Sequence, residues 1–487
     1  MLLPTIVLAL ILYYLYEKYF VDRRKYPPGP FPLPLVGNLL SIDEQNSGKD
    51  VLKWCAQYGK VFTLWLPKPN VVICDKELLK EYFVKKGEVF AGRPNFYLNK
   101  MIFGADLGLI FNENGFYKQQ RRFALHVLRE FGVGRPILQD AITHESRRLV
   151  DLFTSENGSA VDPSAFLTTA VGNIVHKLVF GTVREHHDPF IHKFKADLQK
   201  VLEDFQSVFI FALEGAPFIR HLEKFVDLGL TKLIKYNDKI LDQIREEIEL
   251  HKKTIDYNGA PRDYIDAFLL EIKKGEEEIY NEQQLAVAVY DLFSAGTETT
   301  VTTLRYAIHY LLNNPRVQDK IHEEIDRVIG NDYDVNMADQ SRLPYICATI
   351  QEVQRVGNIL PFTLQHTVQE EVEVGGYRIP KGTIVIPQFQ AVHESPDEFD
   401  DPTAFIPERF LSAEGTYVKD DRVTPFSLGK RACLGESVAR MELFMFFTTM
   451  MQNFRFEPEL AEEPPKLTYA RGFVRGTVPY KCRAIRR

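Results

Sequence analysis

The stretch Phe426-Ser427-Leu428-Gly429-Lys430-Arg431-Ala432-Cys433-Leu434-Gly435 reads F-x-x-G-x-R-x-C-x-G. At ordinary residue frequencies a chance match in a chain of 487 residues is on the order of 10⁻⁴. The pattern has the chemistry of a thiolate loop. A cysteine thiolate can be the proximal ligand of a haem iron and push electron density onto the metal. Gly429 and Gly435 let the backbone pass close to a flat macrocycle, and Arg431 suits a propionate. Gly435 also opens a helix whose amino end stabilises an anionic sulfur. A lone cysteine before a helix is usually buried and inert, but five fixed positions in ten argue against that here. The other cysteines, Cys55, Cys74, Cys347 and Cys482, are scattered and form no C-x-x-C pair. The chain is therefore read as neither a disulfide scaffold nor a structural zinc site.

Most of the remaining sequence has a helical pattern. Helices are predicted over residues 117–131, 137–155, 165–180, 190–213, 222–253, 282–313, 316–329, 343–357 and 435–453. Short strands are predicted at 61–66 and 71–74 about the turn Pro67–Asn70, and at 372–374, 377–379 and 383–386. With 45% hydrophobic and 26% charged residues, this is a globular α-rich body with a minor sheet. The net charge of −7 gives no domain-wide basic balance, so no nucleic acid is expected as a partner.

Ala295-Gly296-Thr297-Glu298-Thr299-Thr300 lies inside the helix predicted at 282–313. Glycine in mid-helix costs about 1 kcal/mol against alanine, so this run predicts a local opening over a ligand. Glu298 and Thr299 place a carboxyl beside a hydroxyl, a pair able to pass protons through an ordered water. The competing reading is a threonine bonded back to the i−4 carbonyl and a solvated glutamate. Glu352 and Arg355 form an E-x-x-R pair on one helical face. Glu145/Arg148 and Glu324/Arg327 share that spacing. Only its place ahead of Pro407-Glu408-Arg409-Phe410 and of Cys433 singles the pair out.

Met1 to Tyr16 carries no charge, Glu17 and Lys18 interrupt the run, and Asp22-Arg23-Arg24-Lys25 follows. Residues 1–21 are expected to be a transmembrane anchor, with the basic flank holding the rest of the chain in the cytoplasm. A cleaved signal peptide is the rival, though no basic n-region or small-x-small site is visible. Residues 22–34, basic and then rich in proline from Pro27-Pro28-Gly29-Pro30, are expected to be a stiff linker to a catalytic domain at 35–487.

On these motifs and their order the chain resembles the cytochrome P-450 family of haem-thiolate monooxygenases, over essentially its whole length. It looks most like the microsomal animal branch that oxidises drugs and other xenobiotics. The resemblance implies the P-450 fold, a single large helical domain with small sheets. It implies haem b (iron protoporphyrin IX) ligated by Cys433, with dioxygen as co-substrate. Phe426, Gly429 and Gly435 shape the loop in that family. Arg93, Arg121, His366 and Arg431 are nominated as propionate partners. Glu298 and Thr299 are assigned to proton delivery, and Glu352, Arg355 and Arg409 to a buried structural network. The family has tryptophan four residues before the arginine at Arg121, and this chain has Tyr117. A phenol donates its hydrogen bond from a different place than an indole does. The implied partners are a lipophilic small molecule, an NADPH-dependent flavoprotein reductase, cytochrome b5 as a further donor, and the endoplasmic reticulum membrane. No G-x-G-x-x-G fingerprint opens a helix here, so electrons must come from outside. Two alternatives share the fold: a reductase-independent isomerase, and a non-catalytic haem-thiolate sensor.

Overall fold

The computed structural model describes residues 5–6, 9–10, 12–13, 16–43, 47–113, 115–132, 136–185, 188–205, 208–470 and 474–487. The anchor expected at 1–21 falls partly outside them. No helix among the described residues is long and apolar enough to cross a membrane.

The principal helices are α1 (Ser47–Tyr58), α2 (Tyr97–Phe103), α3 (Tyr117–Glu130), α4 (Pro136–Ser155), α5 (Ser164–Phe180), α6 (Pro189–Phe205), α7 (Val208–Gly215) and α8 (Leu230–Thr254). They continue with α9 (Tyr264–Lys273), α10 (Glu282–Asn313), α11 (Pro315–Val328), α12 (Pro344–Gly357) and α13 (Glu436–Asn453). The strands are β1 (Val61–Leu66), β2 (Lys68–Ile73), β3 (Ala160–Val161), β4 (His366–Thr367), β5 (Val372–Val374), β6 (Tyr377–Ile379), β7 (Ile384–Pro387), β8 (Phe454–Pro458) and β9 (Cys482–Arg486). Among the described residues three sheets run β1-β2-β7-β4, β3-β9-β8 and β5-β6. The expected α-rich body with a minor sheet is what forms.

Helix α10 organises the interior. Asn281 caps it by accepting from Gln284 N, and Asn314-Pro315 ends it. Its amino half, Leu285 to Phe293, is buried in one apolar cluster with α5, α6 and α8. Its carboxyl half, Val301 to Leu312, is buried in another with α4, α11, α12 and α13. Each of these large apolar side chains contributes roughly 2 kcal/mol by leaving water. Residues 294–300 belong to neither cluster. The polar run therefore sits where the two cores part.

Several boundaries differ from the sequence expectation. The 61–74 hairpin turns on Pro67 alone, because Lys68-Pro69-Asn70 pairs within β2. The single helix expected at 190–213 is α6 and α7, with residues 206–207 outside the described set. The helix expected from 222 begins at Leu230, after a left-handed Gly229 at φ 84°. Tyr97–Phe103 and Tyr264–Lys273 were not anticipated as helices. Cys55 and Cys74 are joined as a disulfide between α1 and the end of β2, a pairing that scattered spacing did not suggest.

The proline-rich stretch lies along β1. Thr63 N donates to Pro28 O at 3.0 Å, and Gly29 has Thr63 backbone where a side chain would go. Tyr19 and Tyr26 pack their rings against Trp65, at 6.3 and 6.0 Å.

Candidate active site

The Cys433 loop is set by backbone. Cys433 N donates to Phe426 O at 2.8 Å, and Ala432 N to Gly429 O at 3.1 Å. Gly429 has φ 77° and abuts the carbonyl of Phe83, so glycine there answers to the chain's own packing. Gly435 is different: nothing lies within 4 Å of where its Cβ would stand. That open face suits a flat macrocycle. Arg440 covers the Phe426 ring, 4.9 Å from its centroid.

The Cys433 side chain is accessible although its loop is enclosed by protein. Burial pushes its thiol up, against the Gly435 N–H and the charge of Arg121, which pull it down. The protein alone does not hold a thiolate at neutral pH. A bound metal cation would.

Around this loop the structure brings the nominated cations together. Arg121 Nη2 donates to Ala432 O at 2.6 Å. Arg431 donates to Ala91 O at 2.8 Å and Asn112 O at 2.7 Å. Arg93 donates to Ile110 O at 3.1 Å and Gln365 O at 2.6 Å. His366, carried by β4, bonds Phe90 O through Nδ1 at 2.7 Å. A carbonyl only accepts, so Nδ1 carries the proton. Burial and Arg431 push Arg93 down to about 9, and burial pushes Arg431 to about 10. Burial, Arg93 and Arg431 hold His366 well below the usual imidazole range. Among the described residues the one carboxylate in salt-bridge reach of these four is Glu113, 3.7 Å from Arg431 Nη2, which also accepts from Arg93 N. Three guanidiniums, those of Arg93 and Arg431 buried and that of Arg121 half-buried, against one acid fit two added propionates. Sequence gave no hint of Glu113, whose role appears only when residues 93, 113 and 431 meet in space.

Tyr117 has its own place. The Arg431 guanidinium lies 3.7 Å from the centroid of its ring. The ring supports the cation by its face, where an indole would have offered an N–H.

On α10, Thr299 Oγ1 donates to Ala295 O at 2.7 Å, the back-bond anticipated as the competing reading. The helix is unbroken here, so the expected local opening is absent. Gly296 serves packing instead: a Cβ there would lie 2.8 Å from Val175 Cγ2 of α5. Ala295 is nonetheless exposed in mid-helix, between buried and half-buried neighbours, as Cys433 is exposed in its loop. Leu292 of α10 and Leu434 of the cysteine loop each touch both apolar clusters. Glu298 lies 3.9 Å from Lys195 Nζ and accepts from Thr302 at 3.5 Å. Thr300 Oγ1 donates to Glu442 Oε2 of α13 at 3.1 Å, tying the two helices. Asp291 accepts from Leu109 N and Ile110 N at 2.6 and 3.0 Å, holding the 108–110 loop against α10.

A family model described as Cytochrome P-450 matches residues 27–484. The chain belongs to the cytochrome P-450 family. A probable cytochrome P-450 CYP36A1 of Caenorhabditis elegans is 41% identical over all of both chains. Cytochrome P-450 2C16 of Oryctolagus cuniculus is 39% identical, covering 93% of each. Cytochrome P-450 2D20 of Mesocricetus auratus is 38% identical over 91% of this chain and 89% of that one. The relatives place this P-450 in the animal branch and make it a haem-dependent monooxygenase. Membership brings a haem held by a cysteine thiolate, dioxygen, a small-molecule substrate and an external redox partner.

The E-x-x-R network of this P-450 is formed. Glu352 meets Arg355 at 2.7 Å and Arg409 at 3.1 Å, and Arg355 also donates to the carbonyls of His393, Pro402 and Ala404. Of the look-alikes, Glu145 does pair with Arg148 at 2.9 Å. Glu324 instead accepts from Tyr345 N and Ile346 N.

Proposed function

We propose that this P-450 inserts one oxygen atom of dioxygen into a lipophilic xenobiotic, fatty acid or steroid, with Cys433 as the proximal ligand of haem b. The observation that carries this reading is the excess of buried cations about the Cys433 loop. A thiolate-held haem supplies dioxygen activation when bound. Arg93, Arg121 and Arg431 hold its propionates, and His366, whose one proton goes to Phe90 O, joins them only on gaining a second. Phe426 O and Gly435 N–H orient the sulfur, and Gly429 holds the turn of the loop. The Thr299 hydrogen is committed to Ala295 O, so its oxygen acts as the acceptor that orders a water, while Glu298 passes protons to it.

Resemblance to the family draws the pocket lining from residues 95–111, 205–211, 290–295, 359–363 and 472–474, and the aromatic residues among them support a lipophilic substrate. Phe103 meets Tyr290 edge-on at 5.6 Å, and Phe96 meets Phe111 at 5.9 Å. Two further expected lining elements, Gly472 and Phe473, lie outside the described residues, as do the side chains of Phe205, Phe209 and Phe211. An NADPH-dependent flavoprotein reductase, with cytochrome b5 as a second donor, supplies electrons. Residues 1–21 anchor the domain at 35–487 to the endoplasmic reticulum membrane, through the 22–34 segment, facing the cytoplasm. Exposed Phe218, Leu222, Phe225 and Val226 support a membrane-facing surface on the body itself.

Cys433→Ser tests the ligand. The wild type should give the red-shifted Soret band of a thiolate-bound ferrous carbon monoxide adduct, and the variant should lose it. A variant that kept the band would move ligation to another cysteine.

A further inference from the structure

The disulfide between Cys55 of α1 and Cys74, just past β2, joins two residues that the backbone already holds together. Gly59 N donates to Cys55 O at 2.9 Å, and Cys74 N donates to Lys60 O at 2.9 Å. Lys60 Nζ also lies 2.6 Å from Asp75 Oδ2. The Gly59-Lys60 turn thus bonds the chain at both cysteines, so opening the sulfur bond leaves two thiols side by side. Both residues are half-buried and within reach of a small thiol. Cys347 and Cys482 differ: they are buried, and burial pushes each thiol up to about 12. Neither supplies the thiolate that exchange requires. The pair also borders the expected pocket wall. Cys55, Cys74 and Phe362 all pack against one apolar cluster that includes Trp54, Val72 and Ile386. Gln388 N donates to Ile73 O, beside Cys74, at 2.9 Å, and Gln388 Nε2 donates to Pro361 O at 2.8 Å. Thr363 Oγ1 donates to Pro387 O at 2.9 Å. Residues 361–363 therefore hang on the strand ends that the disulfide ties to α1.

We propose that Cys55–Cys74 is a redox modification site, a dithiol–disulfide pair that exchanges with the glutathione couple and sets how firmly the 361–363 wall is held. This rests on the proposed pocket lining and on the proposed cytoplasmic orientation, which puts the pair among reducing thiols, where disulfides are transient. Oxidation runs in two exchange steps. One cysteine thiolate attacks glutathione disulfide, forming a mixed disulfide and expelling one glutathione thiolate. The second cysteine thiolate displaces the other glutathione and closes the Cys55–Cys74 bond. The two cysteines lose two electrons, glutathione disulfide gains them, and the two released glutathiones take up the two thiol protons. Reduction is the same sequence reversed, with two glutathiones as the reductant.

Two measurements on the haem-loaded full chain test this. Equilibration across ratios of glutathione to its disulfide, then acid quenching, alkylation and mass spectrometry, counts the thiols. Cys55 and Cys74 should convert together, with Cys347 and Cys482 unchanged. A bond that survived about 5 mM glutathione at about a hundredfold excess over its disulfide would be structural and would overturn the proposal. A dithiol that never closed in glutathione disulfide would overturn it equally. The second measurement reads the wall. Phenylimidazole ligates ferric haem through nitrogen, and its release is followed by the Soret band. Release should be about threefold faster from the reduced wild type than from the oxidised. Cys55→Ser, Cys74→Ser and the double variant, each first shown to hold wild-type haem content, should release at the reduced rate at every ratio. Equal release from both states of the wild type would overturn the link to the pocket, and so would a redox difference that persisted in the double variant. Protease treatment of intact microsomes tests the orientation separately. A body protected from outside would overturn the cytoplasmic reading, and exchange in the cell with it, while exchange in solution would stand.

Discussion

Glu442 is buried between α10 and α13 with one oxygen accepting from Thr300 and the other, Oε1, without a partner among the described residues. Burial pushes its carboxyl up to about 8. Glutamate in an unfolded chain titrates at about 4.3. Between those values the folded protein keeps a proton that the unfolded chain has released, so stability falls as pH rises through that window and levels off above it. Glu442→Gln stays neutral throughout and still offers Thr300 an acceptor. Its urea midpoint, followed from about pH 5 to about pH 9, should lose less than the wild type's. Asp291, pushed up to about 7 by burial, keeps its own contribution in both, one that levels off about one pH unit lower. Equal slopes in variant and wild type would exclude Glu442 as the source. Cys433, Arg431 and Arg121 were legible in the sequence because short-range spacing carries them. Glu113 and Glu442 were not, because each acquires its role from a partner on another element, and no local pattern marks an acid whose partner is far along the chain.

Helix α10 was legible end to end, since a capping asparagine, a long apolar pattern and Asn-Asn-Pro bound it. What the glycine within it does was misread. Poor helix formers suggested an opening, whereas the cause of Gly296 is the close passage of α5. Gly296→Ala gains about 1 kcal/mol of helix propensity. It also forces a methyl against Val175, which is buried, at an overpacking cost of about 1–3 kcal/mol. Net destabilisation of about 1 kcal/mol is expected, and Gly296→Ala with Val175→Ala should recover it relative to Val175→Ala alone. Thermal denaturation of the four proteins reads this directly. If Gly296→Ala raised the melting temperature, the contact would not be limiting.

At the scale of the molecule, charge on the cysteine side bears on the redox partner. Lys118 and Lys430 both pair with Glu88, at 2.6 and 3.3 Å. Arg122 and Arg129, exposed on α3, make no ion pair among the described residues. Of these four cations the two arginines are thus the unpaired ones among the described residues, and under the proposed reductase partnership they are the charges that would meet its acidic surface. Arg122→Glu with Arg129→Glu should slow iron reduction by the reductase about tenfold at low salt, with the deficit shrinking as salt rises. Dithionite reduction should not change. Unaltered reductase kinetics at low ionic strength would move the docking site elsewhere.

The four-stranded sheet joins segments far apart in the chain: β2 lies parallel to β7 with Asn70 opposite Ile384. A ribosome adds roughly 5–20 residues each second. The β1–β2 hairpin therefore emerges on the order of half a minute before the strand that completes it. Through that interval β2 offers a bare edge, the kind of surface on which nascent chains adhere to one another. A message cut short before β7 would leave that edge open for good, with helices already made and no strand to close it. Truncated products of this gene should accordingly be aggregation-prone and costly to the cell's quality control, well beyond their loss of the cysteine loop.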